Sequence, residues 1–256
     1  MATVRRLLVV AVLVLPLAAC GGSSKPAVDT GVSGATARTV AAKTASFSLL
    51  ISGTLGTMSV QSSESGSVSF SDRRAHFYKL VPGGGTPQEI VLNGPYDYTN
   101  ANIDAALKDS SVKPWTKLDT RRVPPAQLKS HPDELAHVRA VAYLANGVDH
   151  ASKIGSDTIG AVAQVHYRGV VDPARVVAAA PAAERTALRT AVGNDYLTKP
   201  FPADFWIDDA GRVRRVLVGY RTPGGGQIVV DGRFSEFGVK LDLSIPAASK
   251  IQDITP

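Results

Sequence analysis

The chain has 256 residues, of which 28 are Lys or Arg and 22 are Asp or Glu, so its formal net charge is +6. The basic residues are scattered along the chain, a distribution that does not indicate a nucleic-acid-binding surface. Hydrophobic residues make up 44% of the chain, and its single cysteine excludes an intramolecular disulfide. A domain of this composition must be stabilised by the packing of its core.

The first 20 residues have the pattern of a bacterial lipoprotein signal, or lipobox. Arg5 and Arg6 precede an uncharged run of thirteen residues from Leu7 to Ala19, and small residues lead into Cys20. Because a membrane-spanning helix needs roughly 20 residues, this run predicts a signal peptide. We expect Cys20 to become a diacylglyceryl cysteine with a further acyl chain such as palmitate, which gives stable anchoring. The alternative is an ordinary signal peptide cut near Ala19, with Cys20 left as a thiol.

Cleavage ahead of Cys20 would leave a lipid-anchored protein on the extracytoplasmic face of the cell membrane. It would remove two arginines and no acidic residue, which lowers the net charge from +6 to +4 and permits loose attraction to anionic headgroups. Residues 20–44 are rich in Gly, Ser, Ala and Thr, without a hydrophobic period, so they predict a flexible tether about 25 Å long. We therefore expect a signal peptide over 1–19, a tether over 20–44 and one domain over 45–256.

Strict alternation of apolar and polar residues begins near Ala45. Phe47, Leu49 and Ile51 lie on one side of a predicted strand, and Val68 and Phe70 alternate with serines in the next. A period of two is typical of a sheet with one wet face. Further strands are predicted at Arg74–Leu80, Glu89–Leu92 and Tyr96–Thr99, separated by turns at 82–85 and 93–95. These strands form hairpins in a meander.

The period then changes to that of a helix. A capping box at Ser130–Asp133 precedes Leu135 and Val138, and the apolar spacing ends at Asn146–Gly147. A second helical region begins at Asp172–Pro173 and is interrupted by a proline before it continues. Later strands are predicted at 161–168, 205–207, 216–220, 228–230 and 239–245. Strands, helices and strands in one chain predict a single α+β domain, with the helices on one face of a large antiparallel sheet.

Several segments resemble a known family. They are the lipobox, the serine-rich first hairpin, VHYRGVVD at 165–172, FWID at 205–208 and FSEFG at 234–238. Together they resemble the actinobacterial lipoproteins of the LppX/LprG/LprA/LprF group over essentially the whole domain. This resemblance implies a LolA-like fold, a strongly curved antiparallel half-barrel with helices on its concave face and a hydrophobic cavity between them. It also implies binding or transport of acylated molecules such as acylglycerols and lipoglycans.

Alternation and helical phase nominate the residues that would line such a cavity. They are Phe47, Leu49, Ile51, Val68, Phe70, Val138, Val165, Tyr167, Val216 and Val218. Small residues such as Ala140, Ala142, Ala161 and Ala163 would leave room beside them. The alternative is that these small residues allow the helices to pack closely on the sheet, which leaves no cavity.

No catalytic or metal-binding pattern is found in the sequence. It has no Gly-x-Ser-x-Gly and no His-Glu-x-x-His, and its glycine runs lack the Lys-Ser/Thr ending of a phosphate loop. His131 and His137 are six residues apart, which is not a zinc-pair spacing on a helix. We therefore predict a protein that is not an enzyme and needs no cofactor or metal. Two functions stay open: binding and transfer of acylated envelope lipids, or a structural or regulatory role with an unidentified protein partner.

Overall fold

The strands in the described part of the chain form one unclosed sheet of twelve. The computed structural model describes residues 31–80, 86–124, 127, 135–192, 199–222 and 225–256. The strands are β1 Thr44–Leu55, β2 Met58–Ser69, β3 Arg74–Leu80, β4 Gln88–Asn93, β5 Tyr96–Thr99, β6 Trp115–Asp119, β7 Val148–Ile159, β8 Val162–Val171, β9 Phe201–Asp208, β10 Val213–Arg221, β11 Gln227–Ser235 and β12 Ile251–Asp253. Their order is β12-β6-β5-β4-β3-β2-β1-β11-β10-β9-β8-β7. Neighbours are antiparallel except β12, which runs parallel to β6.

Helices cover the concave face of this sheet, so the predicted α+β class is confirmed. In the described part of the chain the helices are α1 Ala35–Ala41, α2 Ile103–Ala106, α3 Ala136–Tyr143, α4 Pro173–Ala179 and α5 Arg185–Val192, of which α2 buries no residue and lies outside this layer. The predicted start of α4 is confirmed, because the Asp172 carboxylate accepts a hydrogen bond from the Ala174 amide at 2.9 Å and Pro173 occupies the first turn. The predicted capping box of α3, at 130–133, and the turn at 82–85 lie outside the described residues.

The core lies between this helical layer and the concave face. Phe47 and Phe77 on neighbouring strands have ring centroids 5.8 Å apart, and Phe70 contacts Phe234 at 5.5 Å. Helices α1, α3, α4 and α5 all contribute buried residues to the same cluster. One contiguous core therefore joins the helices to both halves of the sheet.

Ordered structure begins earlier than the tether prediction placed it. Val32, Ala35, Thr36 and Thr39 are buried, although 31–44 was assigned to the tether. The hydroxyl of Thr36 donates to the Ala142 carbonyl at 2.8 Å, and the hydroxyl of Thr39 accepts from the amide of Val213 at 2.8 Å. The short, small-residue helix α1 has only one buried side, which is too little to produce a visible hydrophobic period. The chain is thus packed on the domain from at least Val32 onward.

The predicted strand at 239–245 is wrong. Phe237, Val239, Leu241 and Leu243 are half-buried and alternate with exposed residues, but the segment has no strand partner. The hydroxyl of Thr44 donates to the Val239 carbonyl at 2.7 Å, and Asp242 interacts electrostatically with His76 and Tyr78, which lie on the outer face of β3. An extended chain that lies flat on a sheet buries every second residue, as a strand does. This segment therefore crosses the outer face and leads to β12.

Three strands at the margins of the sheet, β6, β7 and β12, were not predicted. β7 is an edge strand exposed on both faces for most of its length, so its sequence lacks a clear apolar alternation. Among the described residues, no helix is both long and apolar enough to cross a bilayer.

Candidate functional site

The residues nominated for the cavity lie together in the fold. Eight of the ten are buried in the core, and Ile51 and Val165 are half-buried against it. They lie on β1, β2, β8, β10 and α3, except Phe70, which directly follows β2. Cys20 lies outside the described residues, so its role as the anchor stays a prediction. Contact of the ten residues with a ligand also stays a prediction.

The seam between α3 and the concave face of β1 and β11 is nearly closed. The void that remains there is too small for a sphere the size of a water molecule, and it is lined by Phe47, Ser48, Leu49, Val138, Val141, Gly232, Arg233 and Phe234. Sites for small molecules are typically about 300–1,000 Å³. The resemblance implied an open cavity, whereas this seam is packed in the conformation described here. A ligand could enter it only if α3 moved away from the sheet.

A glycine explains why α3 lies so close to the sheet. Gly232 faces Leu49 across the β1–β11 ladder, and a Cβ atom added to it would lie 2.6 Å from Cγ1 of Val141. Such a distance is far below ordinary van der Waals contact, so any side chain at position 232 would displace α3. Gly232 therefore allows Val141 of α3 to pack directly against the backbone of β11.

A buried arginine holds α3 in this position. Arg139 is 4% exposed, and its Nη1 donates to Oε1 and Oε2 of Glu184 at 2.8 and 3.0 Å. Its Nη2 donates to the carbonyl oxygen of Asp72, and its Nε has no hydrogen-bond partner among the described atoms. The guanidinium thereby joins α3 to the residue preceding α5 and to the β2–β3 turn. A buried charge is stable only when it is paired and hydrogen-bonded, so these contacts form a latch, called here the Arg139 latch.

One end of the seam is polar. Glu64 lies directly opposite Leu49 in the β1–β2 ladder, on the concave face, and is buried. Nζ of Lys79 lies 3.7 Å from its Oε1. The slot that would open beneath α3 thus has an apolar floor at Phe47 and Leu49 and an ion pair beside it.

The outer face of β8 to β11 carries a different cluster. The ring of Trp206 stacks on His166 at 4.2 Å, and the guanidinium of Arg215 lies 4.5 Å from its centroid on a neighbouring strand. The indole Nε1 donates to Asp157 at 2.8 Å, and the ring is buried although it lies outside the core. Burial raises the pKa of Asp204 beside it, but hydrogen bonds from Arg168 and His166 outweigh burial and hold that pKa below its usual range. The cluster is internally paired and presents no free aromatic surface.

Sequence reasoning missed the Arg139 latch and the packing contact between Gly232 and Val141. The signal for the first was present, because Arg139 interrupts an otherwise apolar stretch of helix from Val138 to Tyr143. A lone cation in such a position indicates a buried partner. Neither Glu184 nor Asp72 could be identified as that partner from spacing, since both are distant in sequence.

Comparison with solved structures supports the fold. The chain is similar to LprF from Mycobacterium bovis, with 15% identity over 85% of this chain and 95% of that one, at a TM-score of 0.51. It also matches LppX from Mycobacterium tuberculosis, with 12% identity over 84% of this chain and 100% of that one, at a TM-score of 0.49. No family model matches the chain, and neither does any curated protein. The likeness to LprF confirms the predicted LolA-like fold.

Proposed function

We propose that this protein is a membrane-anchored extracytoplasmic lipoprotein that binds acylated cell-envelope lipids between α3 and the concave face of its sheet. The observation that carries the proposal is the seam itself. It is apolar on both sides, it closes on a glycine, and the buried Arg139 latch is one of the contacts that hold the helix above it. The fold that the chain shares with LprF supports this role.

Burial of an alkyl chain can drive the opening. Each methylene transferred from water contributes about 0.8 kcal/mol, so ten of them would contribute about 8 kcal/mol. Breaking a buried ion pair costs about 3–5 kcal/mol. An acyl chain of ordinary length could therefore offset the loss of the Arg139 latch, and its tail against Phe47 and Leu49 would replace apolar contacts that these residues lose when α3 moves. The polar head would stay beside Glu64 and Lys79, and transfer of the lipid would follow from reclosure of α3 after delivery.

The proposal also includes the membrane anchor and a binding mode without catalysis. Cys20 would hold the domain to the membrane through its lipid, with no cofactor or metal involved in binding. Among the described residues, no group of three His, Cys, Asp or Glu side chains is placed to hold a metal ion. The proposed action is binding by burial, and no bond of the ligand changes.

Neighbouring leucines on opposite faces of β1 allow a matched test. Leu49 is 3% exposed and faces the seam, whereas Leu50 is 40% exposed on the outer face. In the chain from Gly21 onward, Leu49→Phe should weaken binding of a fluorescent fatty-acyl probe, and Leu50→Phe should leave it unchanged. Val141→Ala enlarges the gap and should strengthen binding. Equal effects of the two leucine variants, together with no gain in Val141→Ala, would contradict the proposal.

The alternative function is a tethered domain with a filled core and a protein partner. The closed seam, which has no room for a sphere the size of a water molecule, favours it, because a seam that stays closed cannot hold cargo. In that case the wild-type chain would bind no acyl probe. Crosslinking on intact cells should then capture one defined neighbour, and its absence would count against this second candidate.

A further inference from the structure

A second apolar feature lies outside the core, at one end of the sheet. Residues 103–114, called here the rim loop, join β5 to β6 and contain α2. A groove of about 430 Å³ separates the rim loop from the turn at 248–250. Its lining is mainly apolar and consists of Ile103, Ala106, Leu107, Ser110, Ser111, Val112, Lys113, Pro114, Ser249 and Lys250. Leu107 is 78% exposed, more than any other large hydrophobic residue in the described part of the chain.

Lysines surround this exposed leucine. Lys113 and Lys250 border the groove and Lys108 follows Leu107, against two aspartates in the same loop. Both aspartates are engaged locally: Asp109 accepts a hydrogen bond from the amide of Ser111 at 2.8 Å, and Asp104 accepts one from the hydroxyl of Thr86 at 2.6 Å. Lys250 has no ion-pair partner among the residues that the structure describes. These hydrogen bonds come from neutral donors and leave both carboxylates charged, so the three lysines against two aspartates give the surface around Leu107 a net charge of +1.

Other exposed apolar side chains lie at the same end of the strands. The β1–β2 hairpin tip carries Leu55 and Met58, of which Met58 is 66% exposed, and Leu80 ends β3. The antiparallel order places these positions at the end where β5 finishes and β6 begins. The opposite end of the strands carries Ile159 and Ile254, which are less exposed than Met58 and Leu107.

We propose that this end of the sheet docks on a bilayer rich in anionic phospholipid. Leu107 and Met58 would enter the boundary between headgroups and acyl chains, and the rim-loop lysines together with Lys250 would face phosphate groups. Apolar residues flanked by lysines are the composition of interfacial membrane-binding elements. A fluid bilayer can accept two separate protrusions, the hairpin tip and the rim loop, whereas a protein partner would need one continuous complementary surface.

Docking in this orientation would connect to lipid binding without depending on it. By register, Glu64 lies nearer to the β1–β2 tip than Gly66 does, and Gly66 is paired with Phe47. The polar end of the seam would then face the bilayer. Because the docking residues lie outside the seam, membrane binding can fail while acyl-probe binding persists, and the reverse also holds.

The test uses the chain from Gly21 onward, which lacks Cys20 and retains every described contact. Co-sedimentation should show binding to vesicles containing phosphatidylglycerol and little binding to phosphatidylcholine alone. Leu107→Ser should weaken it about tenfold, the effect expected for one leucine returned to water. The double variant Lys113→Gln, Lys250→Gln should reduce the preference for anionic vesicles. Ile159→Ser and Lys153→Gln, at exposed positions on β7, are the matched controls and should have no effect.

A label on the folded rim loop gives a second readout. The chain from Gly21 onward contains no cysteine, so Ser110→Cys provides one site for an environment-sensitive fluorophore. Ser156→Cys on β7 provides the control site. The emission of the first should shift to the blue with anionic vesicles, and that of the second should not. The proposal is overturned if neither label responds, if both respond equally, or if Leu107→Ser instead abolishes a dimer in sedimentation velocity.

Discussion

Replacement of Arg139 by methionine tests the latch that holds α3 on the sheet. The variant keeps most of the side-chain volume but leaves the Glu184 carboxylate and the Asp72 carbonyl without the donor they have now. Breaking one partner of a buried pair costs about 3–5 kcal/mol, and Glu184 retains some contact with water, so we expect a loss of about 3 kcal/mol. That is a large fraction of the roughly 5–15 kcal/mol that stabilises a domain. Urea unfolding measures it directly.

A second variant separates the charge from the packing. Arg139→Met combined with Glu184→Leu removes both ends of the pair, and such replacements are commonly neutral or stabilising. We expect an unfolding free energy close to that of wild type, but faster association of an acyl probe, because the ion pair no longer holds α3 closed. The control is Arg168→Met, whose arginine pairs with Asp204 on the outer face and is largely exposed; it should cost less than about 1 kcal/mol. A double variant less stable than Arg139→Met, or a single variant no worse than the control, would refute the reasoning.

Three further predictions concern the contact of Gly232 with α3, Asp204 on the outer face of the sheet, and the proposed anchor Cys20. Gly232→Ala should destabilise the domain by about 1–3 kcal/mol in urea unfolding, since its methyl group would overlap Val141; adding Val141→Ala should recover most of the loss, and no recovery would contradict the contact. The folded-state pKa of Asp204 is lowered, so its contribution to the free energy of unfolding is present above the unfolded pKa of about 3.9 and is lost as pH falls through the folded value. Asp204→Asn should therefore reduce the loss of stability at acid pH, and an unchanged dependence of stability on pH would show that this carboxyl does not contribute to it. In cells that export the protein, Cys20→Ala should move it from the membrane fraction to the soluble fraction. Continued membrane association of the variant after salt and carbonate washes would show that Cys20 is not the anchor.

The sheet was predictable because one-sided burial leaves a clear mark on a strand. Phe47, Leu49 and Ile51 recur at every second position, and the structure places this strand between β2 and β11, with one ladder to each. The same rule misled at 239–245, since an extended segment lying on the outer face buries alternate residues without any ladder. Alternation indicates which side chains are buried, but it does not indicate whether the backbone pairs with another strand.

The seam could be predicted only in part. The apolar residues on its two sides were found from their period, but its closure depends on Gly232 and Val141, which meet across long sequence separation. The latch depends likewise on Arg139 reaching Glu184, 45 residues away. Local pattern specifies which face of an element is apolar, while the distance between two packed faces is set by tertiary contacts that no local pattern contains.

Native mass spectrometry of the unlipidated chain from Gly21 onward, purified from an actinobacterial host, tests lipid binding most directly. The account predicts a population heavier than the polypeptide by the mass of an acylated lipid. This population should be retained in Leu50→Phe and depleted in Leu49→Phe. A polypeptide that is free of any added mass in every preparation, and that stays so in Val141→Ala, would contradict the account.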